Sequence, residues 1–338
     1  ALADLDFIDS LPNLVFLEIV NCYLLDISKL SQVKNTLEHF SISYGEIIYS
    51  MSVLSELTNL KYLELSNVTT YAPNLPDLSS LTALKHLDLH ALQRDVGWDI
   101  SWISSLPNLE YLDLCEATIQ DFSASLGFQS YDESPCSTLP DMSNLPNLQN
   151  LEMECTSLDD SDLQNISQLV NLEILQLELN SAITDISSLS PLSSLKALII
   201  SDGYHLLDMS VPSLPSLEYL SLPSSTDTVL PDLSSVPKLR VFSWIENSIS
   251  DYSNLSTATA LQSLNISHCA LIDGTQLSSI LSSLSGLNDL TISVYNPDSA
   301  TFDLSLVRSL KYLNVSGTWS DMSEAILPPN VRKLYLYA

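Results

Sequence analysis

Leucine recurs along the whole chain in one phrase, L-x-x-L-x-L, and this recurrence constrains the fold more than any other feature. With the first leucine of each phrase counted as position 1, the phrases begin at Leu14, Leu37, Leu60, Leu84, Leu109, Leu148, Leu172, Leu195, Leu217, Leu239, Leu261, Leu287 and Leu310, and Val331 replaces leucine in the last. Successive starts lie 21 to 26 residues apart, except for one step of 39 between Leu109 and Leu148. A unit this short cannot bury its own apolar face, so neighbouring units must stack around one continuous core. Positions 4 and 6, such as Leu112 and Leu114 or Leu175 and Leu177, alternate with polar residues, which predicts a short strand with one buried face in each unit.

Three residues after each phrase comes a ninth position held by Cys22, Asn180, Asn247 and Cys269 among others, with an aliphatic residue two or three further on (Leu24, Ile183, Ile249). Beyond it, Asp26-Ile27-Ser28, Asp99-Ile100-Ser101 and Asp185-Ile186-Ser187 form one recurring motif. Leu75-Pro76-Asp77-Leu78, Leu139-Pro140-Asp141-Met142 and Leu230-Pro231-Asp232-Leu233 form a second. Together these features resemble the leucine-rich repeats, and within them the short class of about 22 residues found in bacterial internalins and in the regulatory subunit of protein phosphatase 1.

The resemblance implies an α/β solenoid of about 14 repeats: a curved horseshoe with a parallel β-sheet on the concave face and short 3₁₀ turns or loops on the convex face. It also implies an Asn or Cys at the ninth position bonded to backbone, with Cys22 and Cys269 as buried ladder residues. Gly45, Val68, Leu92, Ala117, Gly203 and Tyr295 depart from that pattern, so a patchy ladder is expected. The aspartates are placed to cap a single 3₁₀ turn through a free backbone N–H, because the connections are too short for full α-helices.

A solenoid grows by addition, so residues 1–338 are expected to form one domain, with an inserted loop at about 121–137 inside the long step. The net charge of −29, with only 12 Lys and Arg, excludes nucleic acid as an expected partner, since phosphate binding needs a basic surface. No apolar run reaches membrane-spanning length. Neither a phosphate loop nor a nucleophile elbow occurs, and His86 and His90 stand four apart on a strand, not on a helix. No catalysis, cofactor or metal site is expected.

Because units stack in register, each position forms a column. Position 5 points out of the sheet and reads Glu18, Ser41, Glu64, Asp88, Asp113, Glu152, Gln176, then turns neutral with Ile199, Ser221, Ser243, Asn265, Thr291 and Asn314. Position 3 beside it is an unbroken aromatic run: Phe16, His39, Tyr62, His86, Tyr111. Carboxylates next to rings can hold a basic peptide, or a sugar by stacking and hydrogen bonding. The expected ligand-binding residues are Tyr62, Glu64, His86, Asp88, Tyr111, Asp113 and Glu152. A rival reading is a solvated acidic strip eased by Lys61 and Lys85 at position 2.

Five cysteines occur, and Cys115, Cys136 and Cys155 flank or lie in the long step, where a disulfide could pin the insertion. Glycosylation sequons fall at Asn67, Asn165, Asn254, Asn265 and Asn314. The chain starts at Ala1 without an initiator Met and ends inside a strand phrase, as expected of a trimmed product, of a chain that continues, or of one that self-associates end to end. These features suggest a non-enzymatic recognition protein, extracellular or at the cell surface, that takes a protein or glycan ligand. The alternatives are a fibre-forming structural solenoid and a cytoplasmic scaffold.

Overall fold

The computed structural model describes residues 4–24, 26–47, 50–70, 75–92, 100–115, 139, 141–154, 158–178, 182–201, 210–224, 229–245, 249, 251–267, 274–295, 303–318 and 326–337. The inserted loop at 121–137, Cys136, Cys155, Cys269 and the ninth-position residues Ala117, Asn180, Gly203 and Asn247 lie outside them. The chain packs as two compact units, Ala1–Asn180 and Ser181–Ala338.

All fourteen phrases become strands. In the first unit these are β1 (Phe16–Val20), β3 (His39–Ile47), β4 (Tyr62–Thr70), β5 (His86–Asp88), β6 (Tyr111–Asp113), β7 (Asn150–Glu154) and β8 (Ile174–Glu178), with a short β2 (Tyr23–Leu24) beside β3. They pair parallel in chain order, with position 5 of each strand opposite position 5 of the next. The second unit repeats the plan with β9 (Ala197–Ser201), β10 (Tyr219–Leu222), β11 (Val241–Trp244), β12 (Ser263–Ile266), β13 (Asp289–Tyr295), β14 (Tyr312–Thr318) and β15 (Lys333–Tyr337).

The leucine lattice forms the interior. Leu60, Leu63 and Leu65 of one repeat and Leu261, Leu264 and Ile266 of another are fully buried, and each such side chain contributes about 1.5–3 kcal/mol relative to exposure. At β15, which has a neighbour on one side only, Leu334 and Leu336 are 41% and 50% exposed.

The aspartates act as expected. Oδ1 of Asp26, Asp77, Asp141, Asp185, Asp232, Asp251 and Asp303 each accepts the backbone N–H of the serine two residues on, at 2.7–2.9 Å. Several of these turns open a 3₁₀ segment, as at Ser28–Val33 and Ser253–Thr257. Two connections depart from the expectation of short turns. Asp160–Ile166 (α1) is an α-helix closed by a capping box in which Asp159 and Asp162 each accept a backbone N–H from the other's position. Gly274–Ser283 (α2) is another, and it occupies the 26-residue step between Leu261 and Leu287, the one with most residues to spend among the ordinary steps.

Among the described residues a side-chain ladder runs between repeats one residue before position 1. Asn59, Asn108, Asn147, Asn171 and Asn330 each stand immediately before a position-1 residue, and each Nδ2 donates to a backbone carbonyl of the preceding repeat, on Asn35, Thr82, Pro107, Pro146 and Arg308, at 2.7–3.0 Å. In the ninth column Cys22 Sγ donates to the Val20 carbonyl at 3.4 Å, as the resemblance implies, whereas Gly45, Val68 and Leu92 offer no polar side chain. Val68 and Leu92 are fully buried, and a Cβ on Gly45 would meet the Cys22 carbonyl oxygen at 2.8 Å, so only glycine fits there. Cys22, expected buried, is half-exposed because β1 has no strand on its other side.

Candidate binding face

The five aromatic residues at position 3 of the first unit form one continuous stack. Neighbouring ring centroids from Phe16 through His39, Tyr62 and His86 are 4.0 Å apart and the last step to Tyr111 is 4.2 Å, with interplanar angles of 7–16°. Parallel strands in register force this arrangement, since the interstrand spacing of about 4.8 Å leaves identical positions nearly in van der Waals contact. The flat faces of His39, Tyr62 and His86 are therefore covered on both sides. The next residue in the column is Asn150, so the stack ends at Tyr111.

The stack holds the carboxylates beside it. Tyr62 Oη donates to Glu64 Oε2 at 2.9 Å, Ser41 Oγ donates to the same oxygen at 3.1 Å, and Ser66 Oγ donates to Oε1 at 2.6 Å. Tyr111 Oη reaches Asp113 Oδ2 at 3.4 Å. Burial alone would raise the Glu64 pKa, but the hydrogen bonds from Ser66, Tyr62 and Ser41 bring it below the usual value. Asp88 is pushed up to about 6, first by burial and then by Asp113 and Glu64, against the His90 N–H that it accepts at 2.8 Å. Burial raises the phenol pKa of both Tyr62 and Tyr111, and the neighbouring carboxylates add to the effect. His86 is pushed down to about 4, chiefly by burial, and its Nε2 is buried with no hydrogen-bond partner.

The lysines do not ease this strip. Lys61 Nζ pairs with Glu38 at 2.8 Å and Lys85 Nζ with Glu110 at 2.6 Å, all four residues standing in the position-2 column. Among the described residues, no Lys or Arg ion pair reaches Glu64, Asp88 or Asp113. Asp88, Asp113 and Glu152 face a hollow of about 350 Å³ whose lining also includes Tyr44, His90 and Cys115. Tyr44 and Asn67 of that lining share a backbone feature with Asn21 and Ala91: these position-8 residues of the first four repeats all have φ of 50–55°. This left-handed step at the strand end suits Asn and is paid for in strain at Tyr44 and Ala91.

All seven expected binding residues are thus brought together in the first unit. Among its described residues the second unit carries no such column of acids and rings. Its position-5 column runs through Ser221, Ser243 and Asn265, and position 3 holds Ala197, Tyr219, Val241 and Ser263. Of the sequon asparagines, Asn254 uses Nδ2 to donate to the Leu230 carbonyl at 2.7 Å. Asn165 Oδ1 accepts from Met142 N, and Asn265 Oδ1 from Ser267 N. Asn67 is a left-handed position at the hollow, and Asn314 Oδ1 is buried without a hydrogen-bond partner. Cys115 is buried and donates its N–H to Asp113 Oδ1 at 2.7 Å.

Solved structures with this architecture are numerous. An internalin of Listeria monocytogenes, inlF, is similar at 20% identity over 96% of this chain and 88% of its own, with a TM-score of 0.69. The functional domain of InlJ from Listeria monocytogenes, which includes a cysteine ladder, is similar at 19% identity over 96% of this chain and 63% of its own, TM-score 0.62. A leucine-rich repeat protein of Leptospira interrogans is similar at 18% identity over 91% and 85%, TM-score 0.58. No family model and no curated protein sequence matches the chain. These likenesses establish the fold: a leucine-rich repeat solenoid of the kind seen in internalins.

Proposed function

We propose that the chain is a non-catalytic recognition protein whose first unit binds a cationic peptide segment of a protein partner along the position-5 carboxylates. The observation that carries this reading is the register-matched column Glu64, Asp88, Asp113 and Glu152, in which Tyr62 and Ser66 hydroxyls hold the Glu64 carboxylate and Tyr111 reaches Asp113, while both nearby lysines pair with the adjacent column. Like charges one strand apart repel, and an incoming Lys or Arg relieves that repulsion. Sugar stacking is disfavoured because the inner rings already cover one another's faces.

Fold neighbours span several ligand types. A plant peptide hormone receptor was solved in complex with RGF2 and is similar at 16% identity over 99% of this chain and 57% of its own, TM-score 0.54. A TLR13 complex with ssRNA is similar at 18% identity over 93% and 46%, TM-score 0.60. The fold therefore does not select the ligand, whereas a net charge of −29 favours a cation and opposes RNA. We place the protein outside the cell or at its surface, as with a hormone receptor; added hexose in the intact mass of native material supports that, and an unmodified mass favours a cytoplasmic scaffold.

The binding test is fluorescence anisotropy of a labelled Arg- and Lys-rich peptide against the full chain, in the presence of a chelator. Glu64→Gln together with Glu152→Gln is expected to weaken binding about tenfold or more and to flatten its salt dependence. Unchanged affinity and unchanged salt dependence overturn the site.

A further inference from the structure

Two residues beyond Asp88 and Asp113 on the same face, the adjacent repeats four and five place His90 and Cys115 side by side. His90 Nδ1 lies 3.8 Å from Asp113 Oδ2, and the donor atoms of His90, Asp113 and Cys115 all fall within 4.8 Å of one another. Backbone bonds pin the arrangement. Leu89 N donates to the Asp113 carbonyl at 3.0 Å and Ala91 N to the Cys115 carbonyl at 2.8 Å, so His90 is held between two rungs linking the repeats. The Cys115 N–H occupies Asp113 Oδ1 at 2.7 Å, while Oδ2 lies 3.4 Å from Tyr111 Oη and 3.8 Å from the imidazole Nδ1.

We propose that His90, Asp113 and Cys115 form a binding site for a borderline-soft divalent transition metal of the Zn²⁺ class, with its fourth position open to water, to Asp88 or to a donor from a bound partner. An imidazole, a carboxylate and a thiolate make a mixed N, O and S set that suits Zn²⁺ or Co²⁺ and does not suit Ca²⁺ or Mg²⁺, which take oxygen alone. Metal–ligand bonds of about 2.0–2.3 Å around a tetrahedral centre put donors roughly 3.3–3.8 Å apart. The observed separations reach that range with side-chain adjustments of about an ångström or less. The Asp113 side chain is only 8% exposed, and a divalent cation would offset its burial together with the crowding of Asp88, Asp113 and Glu152 at one hollow. A nucleophilic role for the thiol is less suited to the geometry, since Cys115 is only 3% exposed. Sequence spacing hides the set because the ligands come from two repeats on neighbouring strands.

The inference does not depend on peptide recognition, and its test uses metal alone. The full chain, stripped with chelator and dialysed, is titrated with Zn²⁺ by calorimetry and with Co²⁺ by absorption spectroscopy, with Ca²⁺ as a control. One equivalent of Zn²⁺ is expected to bind, and Co²⁺ to give tetrahedral ligand-field bands together with a thiolate charge-transfer band. Cys115→Ser should abolish the charge-transfer band, and His90→Gln, at a half-exposed position tolerant of change, should weaken Zn²⁺ binding at least about tenfold. Absence of stoichiometric Zn²⁺ binding overturns the site. So does Co²⁺ binding without a thiolate band, binding indifferent to both substitutions, or equal affinity for Ca²⁺, each of which assigns the ion to the diffuse acidic surface or to another thiol.

Discussion

The two units have interiors built alike and differ on their faces. Leu63 in the first and Leu264 in the second occupy equivalent, fully buried sites in strands of the same register. On the open side, the first unit stacks five rings against a row of acids, while the second presents Ser221, Ser243 and Asn265 and no aromatic run. A parallel stack constrains the inward positions, where each leucine meets the leucines above and below, and leaves the outward positions free to vary. Whatever distinguishes one face from the other is therefore function or local stability, and not a requirement of the fold.

The interior half of this comparison is tested by the largest effect. Leu63→Ala and Leu264→Ala are each expected to lose about 2–5 kcal/mol by urea denaturation, through lost burial and an unfilled cavity. A cost below about 1 kcal/mol at either site would break the claim of a shared lattice.

The face comparison comes next. Tyr62→Ala removes two stacked neighbours and the hydrogen bond to Glu64, whereas Tyr219→Ala removes a side chain on a face without a ring stack. The first should cost about 1–3 kcal/mol more than the second. Equal losses would mean that the stack adds no stability.

The turns should again behave alike in both units. Asp26→Ala and Asp232→Ala each delete an Asp–Ser cap and are expected to cost about 1 kcal/mol. Asp141 in the first unit and Asp251 in the second have their pKa values held low by hydrogen bonds from Ser143 and Ser253. A depressed folded pKa means that this stabilisation is fully present above the unfolded value of about 3.9 and is lost as pH falls through the folded one. Melting temperatures measured below about pH 4 should drop less for Asp141→Asn and Asp251→Asn than for the wild type, each relative to its own value at neutral pH. Parallel curves would sink this.

The smallest expected effect is a difference in slope confined to the first unit. The His86 folded pKa of about 4 lies below the unfolded value of about 6.5, so between them the unfolded chain binds more protons. The contribution of the neutral ring is complete above about pH 6.5 and disappears as pH falls toward 4; Glu64 opposes the depression and His39 assists it. His86→Phe, which keeps the stack, should be less acid-sensitive than the wild type across that window. A steeper curve for the variant would contradict a buried neutral imidazole.

Much of this was legible in one dimension. The fourteen strands, their shared register, the Asp–Ser turns and the columns of acids and rings follow from spacing alone, because stacking converts sequence period into spatial adjacency. Less visible were the asparagines that bond between repeats, although the recurring Asn-Leu at the phrase boundary was the available signal, as at Asn108-Leu109 and Asn171-Leu172. The α-helix at Gly274–Ser283 was foreshadowed only by a step of 26 residues.

The sequence by itself determined which residues share a column and which side of the sheet they occupy, since a period-2 strand inside a fixed repeat admits no other solution. Tertiary structure alone decided what neighbours in a column do to one another. Rings about 4 Å apart cover each other's faces and form one continuous stack. Lys61 and Lys85 spend their charge on Glu38 and Glu110, and a histidine and a cysteine 25 residues apart converge on one aspartate. These outcomes depend on distances of a few ångströms and on burial, which set hydrogen bonding, stacking and charge and which no count along the chain contains.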